Sequence, residues 1–221
     1  MTRIFDIILS GIAILVLFPF MLPIIIALKL TGEHYIFYTQ KRIGCYAKEF
    51  LLLKFATMLK NSPNMPGGFY TSINDPRLLP MGKFLRKTKI NELPQIINVF
   101  IGQMSIVGYR PTVKEHYEAY HEEAKRKLYN SKPGLTGIGA IVFRNEEEIL
   151  QQIEDKDSFH QKIIQPYKGR LESWYVENKS IYNYLKIIII TALVVIKDNP
   201  NIWKKVFEGL PPIPQELKKY I

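Results

Sequence analysis

An α+β fold, built as a single membrane-associated domain, follows from three stretches of this sequence. Residues 7–28 (IILSGIAILVLFPFMLPIIIAL) are an uncharged apolar run, residues 35–60 alternate and cluster apolar side chains as paired strands do, and residues 91–102 repeat them at helical spacing. At 221 residues the chain is long enough for one substantial domain and demands no second.

The first run, 22 residues, is long enough to cross a bilayer as a helix. It exceeds a signal-peptide core and no small-residue cleavage site follows it, so it is expected to be retained. Pro19 and Pro23 lie inside it, and each removes a helix hydrogen bond and invites a kink or a break. Two readings stand: a kinked spanning helix, or a broken helix that enters and returns on one face. The basic remainder belongs on the cytoplasmic side.

The alternation at Tyr35, Phe37 and Tyr38, followed by the run 50–55, predicts two short strands joined by a turn at 42–48. Residues 61–68 (NSPNMPGG) read as a loop. In the central helix Asn91 is the expected N-cap, Glu92 stands in the first turn and Pro94 falls where its missing N–H costs nothing. Leu93, Ile96, Ile97, Phe100 and Ile101 supply the apolar face, and Gly102 closes it. A helix N-terminus favours anions, and Arg86, Lys87 and Lys89 just upstream, with Arg110 beyond, would receive a phosphate.

A net charge of +10 points to nucleic acid, an acidic membrane or phosphorylated substrates. No zinc spacing, basic zipper or aromatic RNA signature is present, and the apolar run argues for lipid, so no nucleic-acid partner is expected. The lone Cys45 excludes an intramolecular disulfide and a multi-cysteine metal site. Residues 114–127 read as one charged helix, on which His116 and His121, five apart, do not share a face as a metal pair would. The apolar run 187–196 is too short to span a bilayer and is either a core or an interfacial helix. Residues 201–210 mix Trp203 and Phe207 with Lys204 and Lys205, the composition of a helix lying on a membrane surface. Beyond Pro211 a loose tail is expected.

The run 83–111, KFLRKTKINELPQIINVFIGQMSIVGYRP, resembles the signature of the bacterial sugar transferases, the small monotopic phosphoglycosyl transferases. Leu85, Arg86, Glu92, Leu93, Pro94, Gln95, Asn98, Val99, Gly102, Met104, Ser105, Val107, Gly108, Arg110 and Pro111 carry the match. Further blocks agree: Gln40, Arg42, Gly44, Phe50, Lys54, Phe55, Thr57 and Met58; Asp75-Pro76-Arg77; Pro133-Gly134-Leu135-Thr136-Gly137; Arg144-Asn145; and Leu171, Tyr175 and Val176, with Glu172 in place of the family's Asp.

The resemblance implies transfer of a sugar-1-phosphate from a UDP-sugar to undecaprenyl phosphate, at the cytoplasmic face of the bacterial inner membrane. It implies a re-entrant helix-break-helix anchor at 1–32, a transferase domain at 33–210 with interfacial amphipathic helices, and a tail at 211–221. It makes Glu92 and Asn91 the catalytic positions, Glu92 the ligand of Mg²⁺, and Lys54, Arg86, Arg110, Asp75 and Arg144 substrate or phosphate contacts. Asn91, however, stands where the family has the Asp that becomes a covalent phospho-sugar adduct, and an amide has no comparable nucleophile. Glu92 attacks instead, or the acceptor phosphate displaces UMP directly, or the chain is a catalytically impaired scaffold or regulator. The sugar, the pathway and the oligomeric state, a homodimer included, stay open.

Overall fold

The computed structural model describes residues 2–66, 75–197 and 202–221. Gly67, Gly68 and Asn201, within the stretches named above, lie outside the described residues. Helix α1 (Thr2–Leu30) leads into an antiparallel hairpin of β1 (Phe37–Ile43) and β2 (Glu49–Phe55), in which Tyr38 faces Lys54 and Arg42 faces Phe50. Then come α2 (Gly82–Lys87), a 3-10 turn (Ile90–Glu92), α3 (Gln95–Ile101) and β3 (Ser105–Val107). The single charged helix expected next is two, α4 (Lys114–Glu118) and α5 (Glu122–Leu128), because Tyr117 and Tyr120 turn inward between them. Strand β4 (Gly134–Thr136) pairs in parallel with β3, bringing the VGYRP and KPGLTG segments side by side.

The rest is helical: α6 (Ile138–Val142), α7 (Glu146–Gln151), and α8 (Lys156–Phe159), which runs through a π turn (His160–Ile164) into α9 (Gln165–Glu177). Helices α10 (Ile181–Lys197) and α11 (Ile202–Val206) follow. The largest core gathers Val107, Ile138, Tyr167, Leu171, Ile187 and Leu217. Trp203 and Phe207 also belong to it, each 4% exposed, so these two rings pack on protein and do not lie on a membrane surface. The segment after Pro211 is not loose either. Leu217 is fully buried, and the Tyr167 hydroxyl donates to the Pro211 carbonyl at 3.1 Å. Sequence pattern missed this because a few anchoring apolar residues in a polar segment carry no period. Helix α10 fills both roles left open for it: Tyr184, Ile187, Ile190 and Val194 are core, while Tyr182, Leu185, Ile189 and Val195 are exposed.

Helix α1 is inverted relative to a helix on a water-soluble protein. Its polar Asp6 and Ser10 are buried, whereas Ile8, Ile12, Leu15, Phe20 and Ile26 point outward and are more than half exposed. A helix that turns its polar residues to protein and its apolar ones outward is built for an apolar surrounding. Asp6 Oδ1 accepts hydrogen bonds from the Ser105 hydroxyl (2.9 Å), the Ile106 N–H (2.8 Å) and the Tyr184 hydroxyl (2.9 Å). Arg3 donates to the carbonyls of Val99 and Phe100 at 2.6 and 2.7 Å, capping the negative end of α3. At the far end Met21 and Leu28 are buried with Phe55 and Leu85. Both ends of α1 therefore rest on the same body.

The break expected at the prolines does not interrupt the helix, which is continuous through Pro19 and Pro23. Both rings lie on the outward face, while Met21 between them is buried. Proline's fixed φ suits a helix, each ring deletes one bond, and packing along the remaining stripe holds the backbone in register.

Candidate active site

The turn carrying Asn91 and Glu92 differs from the expected helix start. Lys89 is left-handed (φ 59), and the backbone then winds as a 3-10 turn in which the Glu92 N–H bonds Lys89 O (3.0 Å) and the Leu93 N–H bonds Ile90 O (3.1 Å). Helix α3 starts only after Pro94, so Asn91 caps nothing and those N–H groups are already spent. Gly102, left-handed at φ 92, ends α3 as expected.

What the turn does is aim Glu92 between two strands. Glu92 Oε1 lies 3.4 Å from Lys54 Nζ on β2 and 3.4 Å from Arg110 Nη2 just past β3. Asn98 fixes this geometry from the next turn of chain. Its Oδ1 accepts the Leu53 N–H (3.0 Å), and its Nδ2 donates to Leu51 O (2.8 Å) and to Gln103 Oε1 (2.6 Å), which locks α3 onto the strand bearing Lys54.

Arg42 on β1 completes the group. Its guanidinium donates to Gln40 Oε1 (2.6 Å) and to Pro111 O (3.4 Å), while its buried Nε has no hydrogen-bond partner among the described residues. Burial, the nearby Arg110 and the repulsion it brings hold Arg42 down to about 10. Burial likewise lowers Lys54 to about 8, with Glu92 opposing and Arg42 and Arg110 adding to the fall. Burial alone would raise Glu92, but Arg110, Lys54 and Lys89 outweigh it and hold the carboxyl at about 2. Three cations thus surround one ionised carboxylate, and the surplus positive charge suits a phosphate. Arg110, 44% exposed, is the side on which the cluster opens.

Asn91 is buried, and its Oδ1 has no hydrogen-bond partner among the described residues. A buried amide oxygen left unpaired calls for a partner that binds there. Behind the cluster, Glu172 is 1% exposed beside the backbone N–H groups of Arg110 and Gly139, and burial pushes its carboxyl up to about 8. Glu146 accepts two hydrogen bonds from Lys168, each 2.7 Å, and its Oε1 lies 3.0 Å from His160 Nε2.

A family model described as bacterial sugar transferase matches residues 1–198. The chain is 30% identical to the exopolysaccharide production protein ExoY of Rhizobium meliloti, over 87% of this chain and 84% of that one. It is 30% identical to the undecaprenyl-phosphate galactose phosphotransferase of Salmonella typhimurium, over 88% of this chain and 40% of that one. It is 34% identical to the UDP-glucose:undecaprenyl-phosphate glucose-1-phosphate transferase of Escherichia coli, over 85% of this chain and 38% of that one. The chain belongs to the bacterial sugar transferase family. It spans about two-fifths of the length of the last two relatives and most of the length of ExoY.

In this member of the sugar transferase family Glu92, Lys54 and Arg110 lie together, and Asn91 precedes Glu92 on the same turn. Arg86 lies in the last turn of α2, half-buried and one turn upstream of Asn91. Asp75 is engaged by Arg77, which donates to both its oxygens at 2.9 and 2.7 Å from a pair that is 4% exposed on each side. Arg144 does not contact Glu92 and lines a separate cavity of about 300 Å³. Arg42 was not singled out from sequence, although Gln40 and Arg42, two apart on one strand face, were legible as a pair. Among the described residues no group of three or more His, Cys, Asp and Glu side chains gathers to hold a metal. His116 meets His160 (ring centroids 4.6 Å apart), not His121.

Proposed function

We propose that the chain transfers a sugar-1-phosphate from a UDP-sugar to undecaprenyl phosphate at the cytoplasmic face of the bacterial inner membrane. The observation that carries this reading is the cluster of Arg42, Lys54 and Arg110 around Glu92, a phosphate-binding charge distribution in a chain of the sugar transferase family. The outward apolar face of α1 supports a lipid setting, and the docking of both its ends on one body supports a monotopic placement.

With no carboxylate at position 91, direct displacement fits best. An oxygen of the acceptor phosphate bonds to the sugar-bearing phosphorus of the donor, and the bond from that phosphorus to the bridging oxygen breaks. UMP leaves with the bridging oxygen, and the lipid becomes a diphosphate-linked sugar. Arg110 and Lys54 neutralise the charge gathering on the oxygens, and Arg42 backs them from β1. Glu92 keeps these cations aligned. The residues also suit a divalent cation: Glu92 and the unpaired Asn91 Oδ1 would hold Mg²⁺, with donor phosphates and water completing its oxygens. Bound there, Mg²⁺ supplies electrophilic neutralisation of the pyrophosphate.

The buried amide in place of the family's carboxylate favours one other reading, a transferase fold without turnover that acts as a scaffold. One experiment separates them: UMP release by the purified protein in nanodiscs with Mg²⁺, undecaprenyl phosphate and a panel of UDP-sugars. Lipid-dependent UMP from one sugar is the expected result. No UMP from any sugar, with turnover restored by Asn91→Asp, would mean the scaffold reading is right.

A further inference from the structure

Glu172 belongs to α9, yet its buried carboxyl lies beside the backbone of two other segments. One is Arg110, just past β3, and the other is Gly139, in the first turn of α6. Neither N–H has a main-chain acceptor among the described residues. Gly139 is an orphan donor of a helix start, and Arg110 follows the Tyr109–Pro133 bridge that ends the β3–β4 pairing. One acidic side chain serves both donors from behind, while the Arg110 guanidinium on the other side stands 3.4 Å from Glu92.

The carboxyl reaches that place through a gap that one glycine leaves. A Cβ on Gly139 would stand 2.4 Å from Glu172 Oε1 and 3.3 Å from its carboxyl carbon, but 3.8 Å from its Cγ. The oxygen contact is a clash, whereas 3.8 Å between carbons is ordinary packing. Glu172 therefore needs a glycine at 139. A side chain one methylene shorter, with its carboxyl carbon where Cγ now lies, does not, and the Asp that the family has at this position is of that length.

We infer that Glu172 is a positioning residue for the transfer: held in the gap at Gly139, it fixes the backbone of Arg110 and so aims the guanidinium at the donor phosphates. The inference rests on the proposed function, which brings those phosphates to Arg110.

The test is calorimetric binding of UDP to the full chain in nanodiscs with Mg²⁺, read beside UMP release. Gly139→Ala is expected to weaken UDP binding about tenfold, the scale of one displaced charge-assisted bond to phosphate. Gly139→Ala/Glu172→Asp is expected to recover most of that loss. Glu172→Ala should bind as weakly as Gly139→Ala, and Glu172→Gln, which keeps the length and one oxygen, should retain more affinity than Glu172→Ala. Arg110→Ala supplies the readout that a role in packing alone would not move. Added to Arg110→Ala, either Gly139→Ala or Glu172→Ala is expected to weaken UDP binding by no more than about twofold. A loss of equal size with and without Arg110, or UDP binding unchanged by Glu172→Ala, would overturn the inference. If Gly139→Ala does not fold, the Glu172 variants make the same comparison with Arg110→Ala. If the pattern holds but the unmodified chain releases no UMP, the positioning role stands and the turnover reading falls. If UMP is released and the pattern fails, the transferase reading stands without it. An unmodified chain that binds no UDP would remove Arg110 as a phosphate contact and the inference with it.

Discussion

Lys54 Nζ stands 3.4 Å from Glu92 Oε1, a contact between residues 38 apart in the chain that joins the hairpin to the turn bearing Asn91 and Glu92. Glu92 is the only carboxylate reaching both Lys54 and Arg110 among the described residues. Glu92→Gln removes the charge that holds these cations and the one carboxylate suited to Mg²⁺. UMP release is expected to fall at least about 100-fold, the scale of losing one organising electrostatic group, and the remainder to lose its Mg²⁺ dependence. Unchanged turnover would take Glu92 out of the site.

The same pair sets an alkaline limit. Burial with Arg42 and Arg110 nearby brings Lys54 down to about 8, so its charge is lost as pH rises through that value, well below an ordinary lysine. If the charged ammonium binds phosphate, kcat/KM declines above about pH 8 by up to tenfold per unit. Lys54→Arg, which stays charged, is expected to push that decline to higher pH. A profile identical in the two proteins would assign the limb to another group.

Asn91→Asp restores a carboxylate in a buried pocket whose amide oxygen has no partner. It stands one residue from Glu92, at the family's nucleophile position, and the new carboxylate is expected to attack as a nucleophile. The rate should rise, and intact mass spectrometry should detect a phospho-sugar adduct absent from the unmodified protein. An adduct already present on the unmodified chain would point to Glu92 as nucleophile.

The hairpin, the apolar N-terminus and the Glu92, Lys54 and Arg110 grouping were legible in sequence because period and motif both encode them. The start of α3 was not. Capping preference favoured Asn91, but the left-handed Lys89 diverted the backbone into a 3-10 turn, a tertiary choice that no local propensity records. Nor was the role of Asn98 visible: its side chain bonds β2 across 45 and 47 residues of sequence. Arg144 belongs to a family motif, yet part of the cavity it lines comes from 202–221, a segment without a recognisable period.

Glu172 supplies a stability signature. Its buried carboxyl titrates at about 8 when folded against an ordinary value of 4.5, so the folded state binds the extra proton between these limits. The stability that this proton brings is complete below about pH 4.5 and is lost as pH rises through about 8. Glu172→Gln mimics the neutral carboxyl beside the Arg110 backbone. Urea denaturation of the detergent-solubilised protein should show a smaller loss of stability between pH 5 and 8 in the variant. Parallel pH dependences would place the titration elsewhere.

The anchoring of α1 leads to a statement about topology. Arg3 and Asp6 bind α3, β3 and Tyr184, while Met21 and Leu28 pack on Phe55 and Leu85. A helix fastened at both ends to one folded body cannot place those ends on opposite sides of a bilayer without giving up one set of contacts. Releasing the Asp6 end alone strands two hydroxyls and an N–H in a buried site, at a cost of about 2 kcal/mol or more. In a Cys45→Ser background, Thr2→Cys and Lys29→Cys are therefore expected to resist a membrane-impermeant maleimide in intact spheroplasts. Both should react once the membrane is opened. Labelling of Thr2→Cys from outside would mean that α1 spans the bilayer and that its N-terminal contacts are broken in the membrane.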